Sequence, residues 1–188
     1  MDLTKEVLSF WFGQSNLGPE SELKPRKIWF KSSFSFDKKI HESFIDSCEN
    51  ALAGHLSHMN ERQKSCLALI ILLDQFPRNS VRESPKAFAG DVKALEFAHY
   101  AISQGFDKNI NRGAKLFFYL PLEHSEIIHD QEQNLQLING INNKRVSKAA
   151  TEHHRIIKCF GRFSHRNAVL GRDNTPEEII YLKNPAAW

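Results

Sequence analysis

At 188 residues the chain is long enough for one ordinary domain with a sizeable core and too short to require two. Its 41% hydrophobic and 25% charged residues place it in the globular class and exclude a disordered one. A formal charge of +3, with acidic and basic residues interleaved, gives no electrostatic case for nucleic acid or a membrane surface, so neither is an expected partner.

The first predicted element is a short helix over residues 3–12, with Leu3, Val7, Leu8, Phe10, Trp11 and Phe12 apolar and Gly13 stopping it. Gln14–Lys24 has no periodicity and reads as a loop before the Ile28-Trp29-Phe30 cluster, which is expected to plug into the core. Asp37 is placed to cap a helix in which Ile40, Phe44, Cys48, Ala51 and Leu52 keep a three-to-four spacing as far as Gly54. From about Glu61 to Phe76 the run Cys66–Leu73 is apolar on every face, which predicts a central helix surrounded by others. A buried strand is the competing reading; the lack of β-branched alternation and the polar Arg62, Gln63 and Lys64 upstream favour the helix. Asp74 falls on the core side of its last turn before Pro77, where the dipole disfavours an anion, so it needs a cation, and Arg78 lies one turn on.

Ser84-Pro85 starts a helical turn before Gly90, and Asp91 is expected to cap a helix through Leu95, Ala98, Ala101 and Ile102 that closes at Gly105. Pro121 suits the first turn of a helix running to about Ile138, and another spans about Val146 to Phe163. Thr175-Pro176-Glu177-Glu178 is a capping box with proline at the first helical position. No stretch pairs as alternating strands, so the fold class is all-α: a single domain, 1–188, of antiparallel helix pairs. Ala94–Gly105 has the alanine and glycine spacing of a tetratricopeptide helix.

The stretch Phe160–Arg172 crowds three arginines, a histidine and an asparagine around two glycines, a density suited to binding carboxylates or phosphates. Helical counting on the 146–163 helix sets His153 on the inward stripe and His154 on the flank. On the 121–138 helix it sets His124 and Gln131 inward among Ile127, Ile128, Leu135 and Ile138. Asp74, His124 and His153 are thus expected to meet arginines in one place, as a ligand pocket or as a buried network that fixes helix register. Glu126 and His129 match a carboxylate-iron spacing once but count as outward, so no metal and no cofactor is expected. Cys48, Cys66 and Cys159 are far apart, odd in number and each among apolar residues, which argues against a disulfide framework and for a cytoplasmic protein. No Gly-x-Ser-x-Gly elbow or phosphate-cradling glycine loop is present.

Four segments in this order carry a family resemblance: Val7-Leu-Ser-Phe-Trp-Phe-Gly13, Leu72-Leu-Asp-Gln-Phe-Pro-Arg-Asn79, Tyr119-Leu-Pro-Leu-Glu-His-Ser-Glu126, and Phe160-Gly-Arg-Phe-Ser-His-Arg-Asn167 with Gly171-Arg172. They resemble a bacterial family catalogued as domain of unknown function 924. The resemblance implies a tetratricopeptide-like all-α fold and carries no assigned activity. Its pattern falls on Asp74, Gln75, Arg78, Asn79, Glu123, His124, Glu126, Gln131, His153, Arg162, His165, Arg166 and Asn167. Ser164, where the family usually has proline, and Ser80-Val81-Arg82-Glu83, in place of an apolar-Arg-Gly segment, depart from it. The functional expectation is a small anionic molecule bound by these residues other than Glu126, with the arginines as clamp. The alternatives are a hydrolase or lyase with His124 or His153 as general base, and an adaptor with a peptide or protein partner.

Overall fold

The computed structural model describes residues 2–23, 26–29 and 33–184; Phe30 of the aromatic cluster and Lys24 of the first loop lie outside them. Among the described residues every regular element is helical, so the fold is all-α. They form two compact units, Met1–Arg82 with Lys86–Pro121, and Glu83–Pro85 with Leu122–Trp188.

In the first unit, α1 (Leu3–Phe12) begins where the Asp2 carboxylate accepts the Thr4 amide and ends at Gly13, whose φ of +79° only glycine adopts without strain. Its buried Trp11 and Phe12 meet Trp29 and Phe117, with the Trp29 and Phe117 ring centres 5.1 Å apart. Trp29 therefore plugs the core as its sequence neighbourhood implies, and its indole donates to the Trp11 carbonyl at 2.9 Å. Helix α2 (Phe34–Ala53) starts three residues before Asp37, which corrects the expected cap. Asp37 sits inside the first turn, and its carboxylate accepts from Arg82 instead.

The apolar run gives α3 (Gln63–Ile70), and Cys66 to Phe76 are all buried, most of them completely. The helix does not end at Pro77. It passes through a π turn at Ile71–Gln75, where the Phe76 amide reaches back to the Ile71 carbonyl, and continues as α4 (Phe76–Ser80). The wider turn lets a proline sit near the start of α4. Pro77 has no N–H to offer the Leu73 carbonyl, and the backbone of Gly90 packs against that carbonyl so closely that a Cβ there would lie 2.2 Å from its oxygen. Directly after Gly90 comes α5 (Asp91–Ser103), which lays the fully buried Ala94, Ala98 and Ala101 against α3 and the π turn.

The helix expected over 121–138 is two helices. Helix α6 (Arg112–His124) carries Pro121 inside it, and α7 (Ile128–Asn139) starts afresh. Between them the Ile127 backbone is extended, Ser125 Oγ accepts the Ile127 amide at 3.1 Å, and the same hydroxyl donates to Asp130 Oδ2 at 2.6 Å. These local bonds compete with helical ones and break the register. Ile127 and Ile128 are consequently exposed, and α7 buries Asp130, Gln131, Asn134 and Ile138.

Helix α8 (Lys144–Phe160) is capped by Asn143, packs on α7, and stops at Gly161 with φ +68°, so Phe163 lies beyond it and not on its inward stripe. The short α9 (Asn167–Leu170) and α10 (Pro176–Leu182) complete the second unit, and the Thr175–Glu178 capping box is formed in both directions. All three thiols are free, and burial pushes Cys48 and Cys66 up to about 12, but Cys159 is exposed, contrary to its expected apolar setting. No described helix is long and apolar enough to cross a membrane.

Candidate functional site

In the first unit the π turn aims a fully buried carboxylate, Asp74, at its own helix. Arg78 Nη2 donates to Asp74 Oδ1 at 3.2 Å and to Asp91 Oδ1 at 2.7 Å, and Gln75 Nε2 donates to the other Asp74 oxygen. The guanidinium also lies over the Phe88 ring, 5.2 Å from its centre. Burial works against the Arg78 charge, yet the two aspartates outweigh it and hold its pKa above the ordinary value. Asn79 donates to the Gln75 carbonyl and accepts from Arg82, so Asp74, Gln75, Arg78 and Asn79 form one hydrogen-bonded chain around the π turn. The expected Asp74–Arg78 pair is present, with Asp91 as a second carboxylate that sequence spacing had assigned to capping.

In the second unit the arginine-rich turn is cross-linked by two glutamates. Arg162 forks onto Glu178 through Nε and Nη2, both at 2.7 Å, and Arg172 forks onto Glu126 through Nη1 at 2.7 Å and Nη2 at 3.0 Å. Such bidentate pairs are the strong form of the interaction. Glu178, 1% exposed, also accepts from Ser164, Asn167 and the Thr175 amide. Hydrogen bonds from Arg162 lead the causes that take its pKa down to about 2. Glu126 additionally accepts the Phe163 amide at 2.8 Å. Burial pushes its pKa up, but Arg172 and that amide outweigh the burial and leave it lowered.

Glu126 thus faces inward, which corrects its outward assignment: it stands in the irregular segment between α6 and α7, where helical counting does not apply. His129, on the first turn of α7, is exposed as expected. Among the described residues no group of three or more histidine, cysteine, aspartate or glutamate side chains is placed to hold a metal ion.

Around these clamps, one ring gathers the remaining basic groups. Phe163 is fully buried, and its ring centre lies 5.3 Å from that of His153 and 5.7 Å from that of His165, with the Arg166 guanidinium carbon 4.5 Å away. Arg166 is buried and donates Nη2 to the His124 carbonyl at 3.0 Å, tying the turn to the end of α6. His153 directs Nδ1 at the Ala149 carbonyl, 2.9 Å away, and lies 3.4 Å from Glu123 Oε1. Asn134 donates to the other Glu123 oxygen at 3.3 Å.

Gln131, fully buried, turns its amide nitrogen to the carbonyls of Leu122, Glu123 and Ser125, which caps the end of α6 from a neighbouring helix. Asn167 donates to Glu178 and Asn174 and accepts from Arg172 Nε. Of the residues predicted here, His153, His165 and Arg166 gather about Phe163, with Glu123 joined through His153 and His124 through its backbone; Arg162 and Asn167 belong to the glutamate clamps, and Gln131 to the α6 cap. Sequence reasoning missed Glu178 and Arg172 as clamp members, although the capping box and the closing Gly171-Arg172 marked both positions.

The model of a family described as bacterial protein of unknown function, DUF924, matches residues 7–186. A solved structure of a protein of unknown function from Agrobacterium tumefaciens is similar, with 36% identity, a TM-score of 0.86 and 97% of each chain covered. No curated protein matches the chain. With the family model spanning almost the whole sequence, and all four of the motif segments inside that span, the chain belongs to the DUF924 family of bacterial proteins of unknown function.

Proposed function

We propose that the second unit binds a small anionic ligand, a carboxylate or a phosphate, at the basic groups around Phe163. The observation that carries this reading is the convergence of His153, His165 and Arg166 on one buried ring. Arg162 and Arg172 hold the turn through Glu178 and Glu126, and the ligand is assigned to the basic groups about the Phe163 ring. Arg166 is the central member: it is buried, oriented by Phe163 and the His124 carbonyl, and such a pre-placed guanidinium loses little freedom on binding. His165, exposed at the rim, adds a second donor without any rearrangement of the core.

A thermal-shift series with inorganic phosphate and small carboxylic acids tests this, because a ligand that binds only the folded chain raises its melting temperature by mass action. The expected result is a rise with at least one anion that His165→Ala weakens and Arg166→Lys abolishes, while His129→Ala responds like the parent. An equal response in all variants would show that the anions act on the protein generally, and would remove the site.

A further inference from the structure

The contacts of His153 fix its tautomer. Nδ1 is 2.9 Å from the Ala149 carbonyl oxygen, which can only accept, so Nδ1 carries the hydrogen and the neutral ring has its lone pair on Nε2. Among the described residues Nε2 has no hydrogen-bond partner, and the His153 side chain is 27% exposed. Glu123, 3.4 Å from Nδ1, is itself buried and held by Asn134, so its carboxylate backs the imidazole on the side away from Nε2. A carboxylate or carbonyl behind Nδ1 and an open Nε2 in front is the arrangement that makes a histidine a proton acceptor.

We infer that His153 is a general base acting on the bound anion. The inference rests on the anion reading for its substrate and adds a reaction step to it. Nε2 takes the proton of a hydroxyl carried by the anionic substrate: the O–H bond breaks, its electron pair stays on oxygen, and an N–H bond forms on Nε2. No oxidant or reductant takes part. The imidazolium so formed is stabilised by the Glu123 carboxylate, and the oxygen's new charge by Arg166, which bears on the same Phe163 ring. Glu123 is a positioning residue in this scheme, because it acts through His153. The substrate class is a small hydroxylated carboxylate or phosphate.

Side-chain nitrogen NMR on the labelled full-length chain, free of ligand, reads the tautomer directly, and diethyl pyrocarbonate reads the lone pair, since it acylates an unprotonated ring nitrogen. The expected outcome is hydrogen on Nδ1 and acylation of His153 that inorganic phosphate slows several-fold. Hydrogen on Nε2, or an unreactive His153 while the exposed His129 is acylated, overturns the base. Acylation at an unchanged rate in phosphate leaves the base in place and overturns the anion reading instead. In Glu123→Gln the Ala149 carbonyl still holds the hydrogen on Nδ1, so the tautomer is expected to stay while acylation of His153 slows several-fold, an effect that loss of packing alone would not produce. An unchanged acylation rate in that variant removes Glu123 from the scheme, and the measurement on the parent chain stands even if the variant does not fold.

Discussion

A single carboxylate, Glu178, accepts hydrogen bonds from the Arg162 fork, Ser164, Asn167 and the Thr175 amide, and it is almost completely buried. Removing its charge leaves Arg162 facing a neutral amide and orphans several donors. Glu178→Gln is therefore expected to destabilise the chain by about 3 kcal/mol, near the value for breaking a buried pair, as read by urea unfolding at neutral pH. The sign with pH follows from its lowered pKa. Its contribution is complete above the ordinary glutamate value of about 4.3 and is lost as pH falls from there through about 2. Glu126, also lowered, acts in the same direction. The acid limb of the stability curve should be shallower in Glu178→Gln than in the parent; identical limbs would show that the clamp does not sense this titration. Ser164 illustrates how the residue scale absorbs a departure: where the resemblance expects a stiff proline, a buried hydroxyl bonded to Glu178 at 3.0 Å pins the turn instead.

At the scale of elements, two helices behave differently from their hydrophobic pattern, each for a local chemical reason. The Cys66–Phe76 helix widens into a π turn before Pro77 and continues, and the backbone of Gly90 packs closely against the Leu73 carbonyl. Glycine is required there by contact and not by its dihedral angles, since its φ is −87°. Gly90→Ala should cost about 3 kcal/mol, the upper end of ordinary overpacking, or more, in the same unfolding measurement. A loss under about 0.5 kcal/mol, the range of surface substitutions, would mean that α5 can move off the π turn at no cost. The second case is the 112–139 stretch, where Ser125 bonds to the Ile127 amide and to Asp130, and Gln131 caps the end of α6. A period-3.6 count carried through such a break assigns Ile127 and Glu126 to the wrong sides.

Across the whole molecule, stability should concentrate where burial does. The amides of residues 66–76 lie in a helix without an exposed face, so they are expected to be the slowest to exchange with deuterium, and α9 and α10 to exchange sooner. Slowest exchange in any other helix would show that the apolar run is not the last part to open. The all-α class, the buried run, the two glycine stops at Gly13 and Gly54, the Asp74–Arg78 pair and the capping box at Thr175 were each determined by the sequence alone, because each depends on residues within a few turns of one another. The arginine-rich turn was equally visible as a dense polar cluster, and so was the inward bias of His153. What only the tertiary structure decided is which carboxylates clamp Arg162 and Arg172. Glu126 is 46 residues from Arg172, and Glu178 is 16 from Arg162. An ion pair between distant segments leaves no periodic trace in a chain, since a charged residue reads the same whether its partner is another side chain or water.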